Sequence, residues 1–294
     1  MILLSTSILE ANNESIAILN GVHPKNKLNN LTSKEWIQLS KSFWFQKGLG
    51  NSNAQTEIEK LHPAPFSYQD IIKLINFFTK PKMTILDPFC GVGSTLKAAA
   101  LSGRNAIGIE ISTKWARLGK ERLIDEISKD VRENLNLKIY REDCLKRLPK
   151  IKEESIDFIV TSPPYWGILN KNPDHKVISQ RLNKGLSTKY SNSENDLGNI
   201  KDYGTFLLKI KEVSDLCYRV LKKKKYFALI VGDFYHQSKF YPFHMDTIKI
   251  FQDGGYCLRG LTILAQNNKL LYPYGYPYAY VQNIHHQYIE IFQK

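Results

Sequence analysis

From residue 83 onward the chain alternates between short runs that read as β-strands and longer runs with helical periodicity. No other feature limits the possible folds as much. Strand-like runs are "MTILDPF" (83–89), "NAIGIEI" (105–111), "LKIYRED" (137–143), "IDFIVTS" (156–162) and "YFALIVGD" (226–233), and "YCLRGLTILAQ" (256–266) and "QYIEIFQK" (287–294) close the chain. Helical runs are "STLKAAALS" (94–102), "TKWARLGKERLIDEIS" (113–128) and "YGTFLLKIKEVSDLCYRVL" (203–221), with an amphipathic "SYQDIIKLINFFTK" (67–80) ahead of the first strand. Several strands are apolar throughout, as strands covered on both faces are. The expected class is α/β, a Rossmann-like and mostly parallel sheet with helices on both faces.

Two segments depart from this rhythm. Residues 1–58 read as an N-terminal extension. Within it "LTSKEWIQLSKSFWF" (31–45) has Thr32 and Glu35 at capping-box spacing and apolar residues at helical intervals. Residues 166–202 form a Lys-, Asn- and Ser-rich insertion, long enough to suggest a functional loop. Charge gathers in the same region: residues 166–225 hold 13 Lys and Arg against 6 Asp and Glu, and the whole chain carries a formal charge of +13. Such an excess suits a polyanionic partner, nucleic acid above all.

"ILDPFCGVGST" (85–95) ends a strand and opens a helix. Gly91 and Gly93 allow a sharp turn and a close ligand approach, and the helix N-terminus adds a positive dipole end. Glu110 ends the next strand, where a carboxylate can accept from ribose hydroxyls, and Asp143 ends the one after. Each acid alone reads as a solvated strand end. In series with Asp87 they point to a nucleoside-containing cofactor. "GVGST" lacks the third glycine of the dinucleotide fingerprint, and three acids would repel a pyrophosphate. S-adenosyl-L-methionine, cationic and ribose-bearing, fits better.

These motifs, taken with "TSPPY" (161–165), resemble the amino-group DNA methyltransferases, which act on exocyclic nitrogens of cytosine or adenine. "DPFCGVGS" is similar to their cofactor motif. "EKLHPAPFS" (59–67) is similar to the segment that closes over the methionine end of the cofactor, and "IHHQYIEIFQK" to their last strand. The resemblance spans residues 59–294. It implies an S-adenosylmethionine-dependent methyltransferase fold with a seven-stranded sheet, and a catalytic domain over 59–294. Target recognition is left to the insertion at 166–202, the N-terminal extension and the loop at 266–283 as candidates. It further implies cofactor contacts from His62, Pro63, Asp87, Pro88, Phe89, Gly91, Gly93, Ser94, Glu110 and Asp143. Double-stranded DNA is the implied partner. A restriction–modification system with a cognate restriction endonuclease is the expected setting, and a solitary enzyme is the alternative.

Ser162, Pro163, Pro164 and Tyr165 are the expected catalytic residues. A ring-conjugated amine is a weak nucleophile, and acceptors for its two N–H bonds free its lone pair. Ser162 Oγ and the Pro163 carbonyl are placed to accept, because consecutive prolines keep that carbonyl out of a sheet ladder. Tyr165 would stack on an extruded base; Trp166 suits either the same task or burial. In the resembling family Ser at the first motif position goes with cytosine N4, and Asp or Asn with adenine N6. Cytosine N4 is therefore expected, and adenine N6 stays open. An RNA or protein-amide methyltransferase on the same fold, or a non-catalytic nucleic-acid-binding subunit, are the rivals.

No metal site is indicated. Cys90, Cys144, Cys217 and Cys257 stand far apart, without a CxxC pair. No stretch reaches the ~18 apolar residues of a membrane span, and a soluble cytoplasmic protein without a membrane partner is expected. "KKKK" (222–225) reads as a solvated turn. The tyrosines of "YPYGYPYAY" (272–280) suit base stacking or a rigid packed loop.

Overall fold

The computed structural model describes residues 21–46, 59, 61–62, 67–167, 193, 195–267 and 269–294. Pro63 and most of the 166–202 insertion lie outside these. Among the described residues ten strands form: β1 (Phe43–Phe45), β2 (Thr84–Asp87), β3 (Asn105–Glu110), β4 (Leu137–Arg141), β5 (Ile156–Thr161), β6 (Leu221–Val231), β7 (Phe234–His236), β8 (Lys239–Tyr241), β9 (Cys257–Ala265) and β10 (His286–Gln293). Eight of them make one sheet in the order β1-β9-β10-β6-β5-β2-β3-β4, and β7 and β8 pair as a separate hairpin. Only β10 runs against its neighbours; the other seven strands are parallel.

Helices α1 (Ser33–Leu39), α2 (Tyr68–Phe78), α3 (Ser94–Leu101), α4 (Thr113–Glu126), α5 (Lys129–Asn134), α6 (Cys144–Arg147), α7 (Tyr203–Val220) and α8 (Phe243–Asp253) surround the sheet. Strand residues alternate between two cores. Ile85, Phe158, Val160, Ala228 and Ile230 face α2, α3 and α4 through Ile71, Leu74, Phe78, Leu96 and Leu123. Leu86, Ile159, Phe227, Leu229 and Val231 face α7 and α8 through Phe206, Ile210, Phe243 and Phe251. This two-residue period on strands buried on both faces is why they read as continuous apolar runs. The result is the expected Rossmann-like fold. The chain moves outward from β2 through β3 to β4, then returns to β5 and moves the other way, so the carboxyl ends of β2 and β5 flank the switch point where open α/β sheets bind ligands.

Three local expectations change. The capping box is present, with Thr32 Oγ1 accepting from Glu35 N and Glu35 Oε2 from Thr32 N, but the helix stops at Leu39. Phe43–Phe45 pairs in parallel with β9 instead, adding an eighth strand to the expected seven. The lysines 222–225 are not a turn: they open β6, with Lys222 paired to Asp157 at 2.7 Å and a register shift against β5. They sit at the amino end of β6, away from the switch point. Helix α8 and the β7–β8 hairpin are the other additions. Among the described residues no helix is long and apolar enough to cross a membrane.

Candidate functional site

The turn after β2 is organised by Asp87. Its carboxylate is fully buried and accepts from Phe89 N (3.0 Å), from Thr95 Oγ1 on α3 and from Thr161 Oγ1 (2.6 Å), the last residue of β5. Burial raises its pKa to about 6. One side chain thus ties the glycine turn to the residue before Ser162. In that turn Gly91 (φ +50°) and Gly93 (φ +76°) occupy the left-handed region, and a Cβ on Gly91 would lie 2.9 Å from His62 Nε2. Gly93 caps α3 and Ser94 begins it.

Glu110 closes the other side. Its Oε2 accepts from Gly91 N (3.0 Å) and its Oε1 from Ser112 N (2.7 Å). Burial raises its pKa to about 7 against these two hydrogen bonds, with Asp196 and Asp87 adding negative potential. The geometry has a direct chemical reading. A carboxylate already holds the Gly91 N–H that a dinucleotide site would offer to phosphate. Asp143 caps α6 by accepting from Leu145 N at 2.9 Å, and Asp196 accepts from Gly198 N at 3.0 Å. The mouth is acidic, the wrong sign for a pyrophosphate and the right one for a cation.

Behind the turn, Arg122 of α4 is completely buried. It donates to Val92 O (3.3 Å) and Ser94 Oγ (3.0 Å), and it pairs with Glu126 (3.2 Å) and with Glu59 (3.1 Å). Lys97 of α3 joins Glu126 at 2.6 Å and lies 4.0 Å above the Tyr68 ring. Glu59, the glycine turn and α4 are thereby bolted together, and His62 lies edge-on to Trp115 at 5.0 Å.

Ser162, Pro163, Pro164 and Tyr165 follow β5 and line the same recess. The Tyr165 hydroxyl receives Gln287 Nε2 of β10 at 2.9 Å and hydrogen-bonds the Ser162 side chain, and burial pushes its pKa up to about 12. The phenol is held neutral and its ring fixed by its tip. Trp166 is buried against Tyr203, His236 and Tyr241, with ring centroids 4.3–5.3 Å away. It is a packing residue.

The recess is partly open to solvent. Of the sequence-expected residues, His62, Pro88, Phe89, Gly91, Ser94, Glu110, Asp143, Ser162, Pro163, Pro164 and Tyr165 line it. Asp87 and Gly93 do not; they build the turn from behind. Pro63 lies outside the described residues. Trp115, Asn195 and Asp196 also line the recess and carried no sequence signal, since neither a helix-face Trp nor an acid at the end of an irregular insertion stands out.

The chain matches the model of the N6/N4 DNA methylase family over residues 10–121 and 156–294. It belongs to that family. It is 45% identical over 62 residues to a protein of Escherichia coli (strain K12) assigned as a methylase, YubD, covering 21% of this chain and 27% of that protein. It is 31% identical over 96 residues to the type II methyltransferase M.MthZI of Methanothermobacter thermautotrophicus, covering 33% and 23%. It is 37% identical over 103 residues to the tRNA (guanine(10)-N2)-dimethyltransferase of Methanocaldococcus jannaschii, covering 33% and 28%. The chain thus spans about a quarter of the length of these relatives.

Proposed function

We propose that this chain transfers a methyl group from S-adenosyl-L-methionine to the exocyclic N4 of cytosine in double-stranded DNA, as the modification enzyme of a restriction–modification system or as a solitary one. The observation that carries this reading is the Asp87 carboxylate bonded to both the glycine turn and Thr161. It holds two chemically different motifs around one recess.

The residues fit the cofactor. Glu110 spends one acceptor direction per oxygen on backbone N–H groups and retains lone pairs for ribose hydroxyls. Asp143 and Asp196 supply negative charge, and His62 and Trp115 an aromatic wall. The cofactor would bring a methyl group activated by its sulfonium. The protein's task is the amine. Ser162 Oγ and the Pro163 carbonyl accept its N–H bonds, drawing the nitrogen towards a pyramidal shape. Tyr165, pinned at its hydroxyl, offers a ring face to a base taken out of the stack. Serine at 162 supports cytosine, because the family pattern pairs it with N4.

Labelled methyl transfer tests the reading. Wild-type protein with tritiated S-adenosylmethionine should label unmethylated duplex DNA, and Ser162→Ala should keep cofactor binding while losing at least tenfold in turnover. A wild type that binds cofactor and DNA yet labels none of DNA, RNA and protein would leave only a non-catalytic subunit.

A further inference from the structure

Residues 269–285, between β9 and β10, form a loop that shows its aromatic side chains to solvent. Tyr276, Tyr278 and Tyr280 are 80%, 94% and 87% exposed, and Leu270 and Leu271 beside them are 71% and 64% exposed. The packed-loop reading of these tyrosines therefore fails. A folded chain gains nothing by holding three phenol rings in water.

The backbone beneath them is closely tied. Asn283 clasps the loop base twice, Nδ2 donating to Tyr272 O at 2.7 Å and Oδ1 accepting from Tyr272 N at 3.0 Å. At the tip, Gly275 O accepts from Tyr278 N and Ala279 N, both at 2.7 Å. Gly275 has φ +76°, and a Cβ there would lie 2.2 Å from Ala279 O, so this turn admits only glycine. Gln282 N donates to Tyr235 Oη at 3.3 Å, bracing the loop on the β7–β8 hairpin. The neighbouring Phe234 and Tyr241 of that hairpin pack against Trp166 of the catalytic motif.

Topology places the loop. β9 is parallel to β6, and β10 is antiparallel to both. The end of β9 and the start of β10 therefore lie at the carboxyl end of the parallel strands, the end that carries Gly91, Glu110 and Ser162. Residues 269–285 contain one lysine and no acidic residue, in a chain of net charge +13. Rigid, acid-free and aromatic on the site's side of the sheet, the loop has the make-up of a base-stacking platform. Aromatic rings stack on any base, and a rigid loop loses little conformational freedom on binding.

We infer that the 269–285 loop is a nucleic-acid contact element, Tyr276, Tyr278 and Tyr280 stacking on or against the bases and sugars that flank the target base. This rests on the DNA reading above and adds to it the surface that grips the substrate. The full-length triple variant Tyr276→Ser/Tyr278→Ser/Tyr280→Ser should melt at the wild-type temperature and bind S-adenosylmethionine as wild type does. Its affinity for a fluorescein-labelled DNA duplex should fall at least tenfold in fluorescence anisotropy titrations, since a single base–aromatic stack contributes roughly one to two decades. The slope of affinity against salt should not change, because stacking releases no counterions. If the triple variant misfolds, Tyr278→Ser alone should still weaken binding several-fold. A variant that folds and binds the duplex as tightly as wild type overturns the proposal, leaving the loop as a surface for some other molecule. A wild type that binds neither duplex nor single strands overturns the DNA reading along with it.

Discussion

The Thr161 hydroxyl donates to Asp87 Oδ1 across 2.6 Å, joining the last residue of β5 to the last residue of β2. Both groups are buried, and the next residue along each strand lines the recess: Pro88 on one side, Ser162 on the other. Beside the β2–β5 ladder, this hydrogen bond to a carboxylate sets the glycine turn against the Ser162–Tyr165 turn. Thr161→Val keeps the shape and removes the donor. We expect it to cost about 1–3 kcal/mol in urea unfolding, and to lower kcat more than it weakens cofactor binding.

Glu110 makes the site pH-dependent. Its pKa is raised from 4.5 to about 7, chiefly by burial. The folded state therefore holds a proton that the unfolded state has lost between those values, and its contribution to stability falls as pH rises through this window. A cationic ligand needs the ionised form. S-adenosylmethionine affinity, measured calorimetrically, should rise from pH 6 to pH 8 and level off above. Glu110→Gln should bind more weakly at pH 8 and lose most of that pH dependence. Asp87, with a pKa near 6, contributes to stability in the same direction.

Tyr165 has a ring and a hydroxyl with separable tasks. Tyr165→Phe removes the bond to Gln287 but keeps the stacking face, and Gln287→Leu removes the same bond from the other side. Each should lower kcat/KM only a few-fold. Tyr165→Ala removes the platform and should cost about ten- to a hundredfold, the scale of one lost base–aromatic stack.

Gly91→Ala forces a Cβ to within 2.9 Å of His62 Nε2 at a φ of +50°. The backbone strain is about 1–3 kcal/mol, and displacement of His62 should weaken cofactor binding. His62→Ala in the same background should recover only the part of the thermal stability lost to the clash, because the strain at φ +50° stays, and should not recover cofactor affinity.

How much of this was legible depended on whether the information ran along the chain or across it. Apolar runs such as Ile156–Val160 encode a strand buried on both faces directly. The Gly91–Gly93 turn and Ser162–Tyr165 are consecutive residues whose types dictate local geometry. Glu110 could be placed at a strand end, but its grip on Gly91 N joins two strands and depends on a rotamer that no sequence spacing reveals. Arg122 looked like one more charged residue on an amphipathic helix, and it lies at the centre of the buried network behind the turn. Phe43–Phe45 continued a helical pattern and became a strand because the open edge of β9 offered it hydrogen bonds. The lysines 222–225 read as solvent-facing punctuation, yet the backbone of Lys224 and Lys225 bonds Lys294 at the chain's end. Tertiary pairing overrides local propensity in both cases.

The most direct test is the chemical identity of the product. Unmethylated duplex DNA incubated with the purified protein and S-adenosylmethionine, digested to nucleosides and resolved by mass spectrometry, should yield N4-methyldeoxycytidine, with none from Ser162→Ala. N6-methyldeoxyadenosine in its place would contradict the assignment drawn from Ser162. No methylated deoxynucleoside at all, with methyl groups found instead on RNA, would contradict the account of the substrate itself.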